Sequence, residues 1–240
     1  MSDPLNITPR RMVPLVGPIV WSAGDLTPNE QMIPLGAEHA AELETQRGPT
    51  PRLDELTDEL RGRLDHGRGF ALLRGLALSG EPAAPLRIMA RRLGELVSPA
   101  PMTGSRHVEA CDMLLLRATE PATARLRSAA AIHNALLRTD RAALAALYEA
   151  RGEPPLPIFC HDGLFAARWD DSVLPADHLP AALAEALGEP LVLSLRAGDI
   201  LALNPFLIWA DRLAGAPSVA CLETPSRLDI PGFAALRPQP

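Results

Sequence analysis

Four residues set the terms for what this chain can fold into. Arg106-His107-Val108-Glu109 opens onto an apolar run, Cys111-Asp112-Met113-Leu114-Leu115-Leu116. Side chains alternate along a strand, so on extended chain His107 and Glu109 point to the same side. An imidazole and a carboxylate in that relation are the front part of a 2-His-1-carboxylate metal site. The remaining ligand, a second His, is expected on a later strand.

Around this strand the apolar pattern switches between helix and sheet periods. Leu53, Leu56, Leu60 and Leu64 keep a helical spacing that stops at Asp65-His66-Gly67. Gly69 to Gly75 reads as a short buried strand between glycines, and Pro85 to Leu96 as a second amphipathic helix. Residues 99–105 read as a loop. Thr123–Ser128 is expected as a strand, with helices over Ala129–Leu137 and Arg141–Arg151. A hairpin turns at His161-Asp162-Gly163, between Pro157–Phe159 and Leu164–Trp169. Pro180–Leu187 reads as a short helix, and Leu191–Leu195, Ile200–Leu203 and Ser218–Glu223 as strands. Strands and helices mix without regular βαβ alternation, which predicts an α+β fold. Residues 1–50, rich in Pro, are expected to wrap the surface with Trp21 as anchor, leaving 51–240 as one domain.

The 240 residues suffice for a large core. A net charge of −6 argues against a nucleic-acid partner. No apolar run approaches the roughly 18 residues of a membrane span, and no secretion signal opens the chain, so a cytoplasmic protein with a small-molecule partner is expected. Its oligomeric state is not legible. All 23 basic residues are Arg, which rules out a Lys Schiff base or Lys general base. Cys111, Cys160 and Cys221 are far apart and read as reduced thiols rather than a zinc site.

The order of motifs resembles the taurine dioxygenase and clavaminate synthase-like family. Gly67 to Gly75 is similar to its GRGF-x-LLRG strand, and His107-Val108-Glu109 to its H-x-D/E motif in the Glu form. Leu114 to Ala118, Ser128 to Asn134, Phe165 to Trp169 and Arg196 to Leu201 resemble further family segments in the same order. The likeness spans about residues 50 to 225. It implies a double-stranded β-helix (jelly-roll) core with flanking helices. It also implies Fe(II), 2-oxoglutarate and O₂, and oxidation of an amino-acid-like small molecule, with His107 and Glu109 as catalytic metal ligands.

The chain departs from that family where the site should close. Counted from Asn204, the distal His falls at Trp209 and the following Arg at Asp211, and no His occurs after His178. Indole offers a metal no lone pair. The 2-oxoglutarate Arg is matched only by Arg227, or less closely by Arg212, and Thr123 lies near the family's cosubstrate Thr. Trp209, Arg168 and Asp211 are the expected pocket residues. Three readings stay open: an oxygenase with an altered iron site, a metal-independent acid–base enzyme (isomerase, cyclase, lyase or hydrolase) reusing the pocket, and a non-catalytic binding or scaffold relative.

Overall fold

A computed structural model describes residues 12–45, 48–76, 80–98, 105–107, 110–175 and 177–237. In chain order the elements are α1 (Pro28–Gln31), β1 (Met32–Pro34), α2 (Ala37–Thr45), α3 (Pro51–Arg61), β2 (Phe70–Arg74), α4 (Ala84–Leu93), β3 (Glu95–Val97), β4 (Met113–Arg117), β5 (Ala122–Ser128), α5 (Ala129–Thr139), α6 (Arg141–Tyr148), β6 (Phe159–Asp162), β7 (Leu164–Ala167), α7 (Ala181–Leu187), β8 (Leu191–Leu195), β9 (Ile200–Leu203), β10 (Ile208–Ala210) and β11 (Ser218–Leu222).

The stripe Leu53, Leu56, Leu60 and Leu64 is buried to 3% exposure or less. At roughly 1.5–3 kcal/mol per fully buried Leu it accounts for the docking of α3. The last of these residues sits on a wider π turn, Gly62–His66, that continues α3 and carries Asp65. The helix expected over Pro85–Leu96 stops three residues early, at Leu93. Gly94 explains the break: a Cβ there would lie 2.0 Å from the Leu222 carbonyl oxygen. The chain can therefore pass against β11, and Leu96 joins β3 instead.

A six-stranded sheet runs in the order β1-β2-β9-β4-β11-β3, antiparallel except for the β1–β2 pair. A three-stranded antiparallel sheet runs β10-β5-β8. Alternation divides the large sheet's residues between two cores. Ala71, Leu73, Met113, Leu115, Ile200 and Ala202 pack with α3 and α4. Phe70, Leu72, Leu114, Leu116, Leu201 and Leu203 pack with Ala124, Leu126, Leu191, Leu193 and Leu195 of the small sheet.

β6 and β7 form a separate hairpin turning at Gly163, whose φ of 81° favours glycine. His161, expected in the turn, is paired with Phe165 inside the hairpin. Trp21 is buried, donates from Nε1 to the Arg68 carbonyl at 2.9 Å, and tilts against Phe70. Asn134 holds Leu15 by two 2.8 Å bonds, one in each direction. Among the described residues no helix is long and apolar enough to cross a membrane.

Candidate functional site

Residues 105–107 run beside the end of β10 and join it through an isolated bridge. Arg106 forms an antiparallel bridge with Asp211. His107 N–H donates to the Ala210 carbonyl and Arg212 N–H to the Ser105 carbonyl, both at 2.9 Å. On its other edge β10 meets β5, with Trp209 opposite Arg127 and Ala210 opposite Leu126. Residues opposed across a ladder share a face, and neighbours along a strand alternate. Arg106, Asp211, Trp209 and Arg127 therefore stand on one face, and His107 on the other with Ala210 and Leu126. The two positions that the sequence resemblance would pair, His107 and Trp209, point apart. His107 is buried, and its Nε2 accepts the Leu213 N–H at 3.1 Å. Val108 and Glu109 lie outside the described residues.

Trp209 is fully buried. It stacks on Phe159 (5.6 Å between centroids, 11°) and meets Trp169 edge-on at 5.0 Å. Its Nε1 has no hydrogen-bond partner among the described residues. The Arg106 guanidinium lies 3.8 Å from the Trp169 centroid, a cation–π contact. Asp211 Oδ1 is shared at long range, 3.9 Å from Arg106 Nε and 3.4 Å from Arg127 Nη1. Burial pulls the Arg106 pKa below its ordinary value; Asp211 opposes the shift and Arg127 adds to it.

Beside this cluster lies a cavity of about 330 Å³ lined by Glu153, Arg168, Trp169, Asp170, Asp171 and Phe206, among others. Arg168 reaches Asp170 at 2.8 Å and donates to the Pro157 carbonyl at 3.1 Å. Burial works to raise the Asp170 pKa, but hydrogen bonds from Ser172 and the charge of Arg168 outweigh it and hold the carboxyl below its ordinary value. Asp171 Oδ1 accepts Trp169 Nε1–H at 3.1 Å and is 3.2 Å from Ser105 Oγ. Those contacts fix the carboxylate while its second oxygen stays unbonded among the described residues.

Of the residues singled out in the sequence, the structure brings Trp209 and Asp211 together and puts Arg168 in the neighbouring cavity. It leaves three elsewhere. Thr123 is exposed, opposite Ser194. Arg212 is exposed. Arg227 is buried, and its Nη1 is 2.5 Å from Asp65 Oδ1. The residues that sequence reading missed are Arg106, Arg127, Trp169 and Asp171. A register of β10 against β5 and residues 105–107 was the signal needed, and no single segment carries it.

Among the described residues, the donor set does not fit the iron and 2-oxoglutarate that the family likeness implies. The His107 lone pair is taken by a backbone N–H. The alternate ligand position holds an indole on the opposite face. The Arg227 fork is occupied by Asp65. Among the described residues no three His, Cys, Asp or Glu side chains are placed to hold a metal together.

No family model and no curated protein matches the chain. Solved structures do. Asparagine oxygenase (AsnO) matches with a TM-score of 0.52 at 18% identity, over 80% of this chain and 93% of its own. The non-heme iron oxygenase OrfP, in complex with Fe, succinate and (3R,4R)-dihydroxy-L-Arg, matches with a TM-score of 0.52 at 17% identity, over 83% and 93%. The chain thus has the mixed helix-and-strand fold of non-heme iron oxygenases.

Proposed function

We propose that this chain is a small-molecule enzyme on an oxygenase fold that handles a cationic, amino-acid-like ligand by acid–base chemistry, without an iron centre. We read its two sheets as a double-stranded β-helix of the taurine dioxygenase and clavaminate synthase-like type, with the described part of residues 1–50 wrapped on one domain. The observation that carries the reading is the cavity wall. Glu153, Asp170 and Asp171 meet two guanidiniums, Arg168, which is already paired to Asp170, and Arg106, which lies over Trp169 and acts on Asp171. The surplus is negative, so a ligand bearing an ammonium or guanidinium group is favoured, and Trp169 and Phe206 offer its carbon chain an apolar wall.

Asp171 is the group we assign to proton transfer. Trp169 and Ser105 orient one oxygen and leave the other for the ligand, the arrangement a general base needs. His107 is not assigned that role, because its Nε2 is engaged by Leu213.

The test is calorimetric titration of basic, neutral and acidic amino acids with chelator present, followed by an anaerobic turnover assay on any binder. Basic ligands are expected to bind at least about tenfold more tightly than acidic ones. Asp171→Asn should abolish turnover while binding persists. Turnover that requires added Fe(II) and 2-oxoglutarate would instead establish the oxidative reading, which the fold likeness to AsnO and OrfP favours. Binding without turnover would establish a carrier.

A further inference from the structure

Beyond β11 the chain forms a strap, residues 223–237, whose root is unusually rich in buried charge. The strap contributes to the walls of two cavities. Leu228, Ile230 and Phe233 make a small core with Ala166 and Phe206. Leu236 lines the 330 Å³ cavity, and Pro231 and Gly232 line a second cavity of about 270 Å³ beside Tyr148 and Phe159.

The root is held by polar groups from five places in the fold. Asp112, 1% exposed, accepts the N–H of Glu223 on Oδ2 (2.9 Å) and the N–H of Arg227 on Oδ1 (2.8 Å). Arg227 Nη1 donates to Asp65 Oδ1 at 2.5 Å, and Asn204 Nδ2 lies 3.4 Å from the same oxygen. Glu223 Oε1 is 3.2 Å from Arg61 Nε. Arg61 itself is tied to Asp58 at 3.1 Å and to the Arg92 carbonyl at 3.0 Å. Asp65 and Glu223 are thus gathered in one network through Arg227, Arg61 and Asp112, and each carboxyl shifts the other's pKa.

That mutual influence is informative. Two carboxyls drawn into one buried network disfavour the doubly ionised form, and the pair is stabilised when one of them carries a proton. The charges say the same. Three carboxylates (Asp65, Asp112, Glu223) meet two guanidiniums (Arg61, Arg227), and Arg61 is shared with Asp58, so the root is rich in acid and a proton relieves part of the surplus. We propose that Asp65 and Glu223 hold one proton between them, and that losing it loosens the strap 223–237 from the cavities it lines.

Glu223 is the proton's owner. Burial first, then the neighbouring Asp65 carboxyl and the charge of Asp112, push its carboxyl up to about 8, with Arg61 opposing. Burial also acts to raise Asp65, but the neighbouring Glu223 carboxyl, the bond to Arg227 and the charge of His66 hold it below its ordinary value. Cys221, the other titratable group at the root, is pushed up to about 12 by burial and is neutral throughout. Once the strap lifts, Glu223 returns to water and an ordinary carboxylate value of 4.5. Closing therefore takes up a proton between pH 4.5 and about 8, and the closed-to-open ratio falls by up to about tenfold per pH unit in that window.

Hydrogen exchange by mass spectrometry reads this directly, as protection factors for 223–237 relative to β4 and β9. From about pH 6 to about pH 8 the relative protection should fall by about ten- to a hundredfold. Glu223→Gln, a permanent mimic of the protonated acid, should keep it constant, and His66→Gln should leave the fall intact. A relative protection that ignores pH in the wild-type chain overturns the proposal. So does an undiminished fall in Glu223→Gln, or its disappearance in His66→Gln. If Glu223→Gln does not fold, carbon-13 titration of the wild-type Glu223 carboxyl decides. A midpoint above about pH 7 supports the shared proton, and one in the ordinary carboxylate range refutes it.

Discussion

Two clusters in this protein bury arginine beside carboxylate, and they are built to opposite charge balances. At the root of the strap, Asp65, Asp112 and Glu223 outnumber Arg61 and Arg227; the Arg–carboxylate contacts are 2.5 Å (Asp65–Arg227) and 3.2 Å (Glu223–Arg61), and Asp112 takes two backbone N–H groups at 2.8–2.9 Å. On the outer face of β10, Arg106 and Arg127 outnumber Asp211 and the contacts are 3.9 and 3.4 Å; in both clusters a buried Arg Nε (Arg106, Arg127 and Arg227) has no hydrogen-bond partner among the described residues. The difference follows from the chemistry of the surplus. A carboxylate can be neutralised in place by a proton, so an acid-rich cluster can close up. A guanidinium does not give up its proton in a protein, so a base-rich cluster can only spread out, lean on an aromatic face, or wait for an anion.

The hardest way to break the acid-rich cluster is through Asp112. Its carboxylate accepts two buried backbone N–H groups, and charged acceptors make the stronger hydrogen bonds. Asp112→Ala leaves both donors unsatisfied and should cost about 3–5 kcal/mol, read as a lower midpoint in urea at unchanged slope. A loss under about 1 kcal/mol would mean that water reaches the strap root, and the contrast between the clusters would fall.

A slightly smaller effect is expected from Trp209→His, which also tests the other cluster's place in the fold. The substitution restores the residue that the sequence resemblance calls for. Because strand alternation puts position 209 on the face away from His107, the new imidazole joins Phe159, Trp169 and Arg127 instead. We expect a loss of about 2–4 kcal/mol from the vacated indole volume and Fe(II) affinity no tighter than wild type by anaerobic titration. A gain of about tenfold or more in affinity would show that the two faces communicate and reopen the iron reading.

The pH profile sharpens the comparison with a still smaller effect. Glu223 has its pKa raised in the folded chain, so its contribution is complete below 4.5 and is lost as pH climbs to about 8. His133 runs the other way. Burial among Tyr148, Phe159 and Phe165 holds its pKa below the ordinary 6.5, so the unfolded chain binds the extra proton and stability is lost as pH falls under 6.5. The two oppose each other between pH 4.5 and 6.5, and above 6.5 only Glu223 acts. Urea midpoints should therefore decline from pH 6.5 to 8 in the wild type but not in Glu223→Gln. In His133→Phe the decline should begin already at the acid end. A wild-type profile flat above pH 6.5 would remove Glu223 from the account.

How much of this was legible in the chain depends on the range of the interaction. The helix at Leu53–Leu64, the strands at Phe70–Arg74 and Leu191–Leu195 and the mixed α+β character follow from local periodicity, and the structure contains them. What escaped was set by partners distant in sequence. β1 is three residues long and exists because Met32–Pro34 finds β2. Leu96 left its expected helix because Gly94 lets β11 come close. Arg227 was read as a cosubstrate clamp, yet its partner Asp65 lies 162 positions away. The matching of Trp209 to a metal ligand counts residues along one strand. Which face that residue occupies is decided by its ladder partner Arg127, 82 positions back in the chain by the numbering of the β10–β5 register.

Arg127→Met gives the smallest expected effect and the most direct comparison of the two balances. Removing one partner of a balanced buried pair strands a charge and is costly. Arg127 is not such a partner. Its Nη1 is 3.4 Å from an Asp211 side chain that is 36% exposed, and its charge works against Arg106. Taking it away leaves one guanidinium to one carboxylate, with Trp169 still under Arg106. The lost long contact and the relieved repulsion oppose each other, so the change in stability should stay within about 1 kcal/mol and can be favourable. Arg106 should then draw closer to Asp211 than the present 3.9 Å in a structure of the variant. A loss of about 3 kcal/mol or more would show that Arg127 is bound as tightly as Arg227. The surplus positive charge on this face would then be held by a partner of its own.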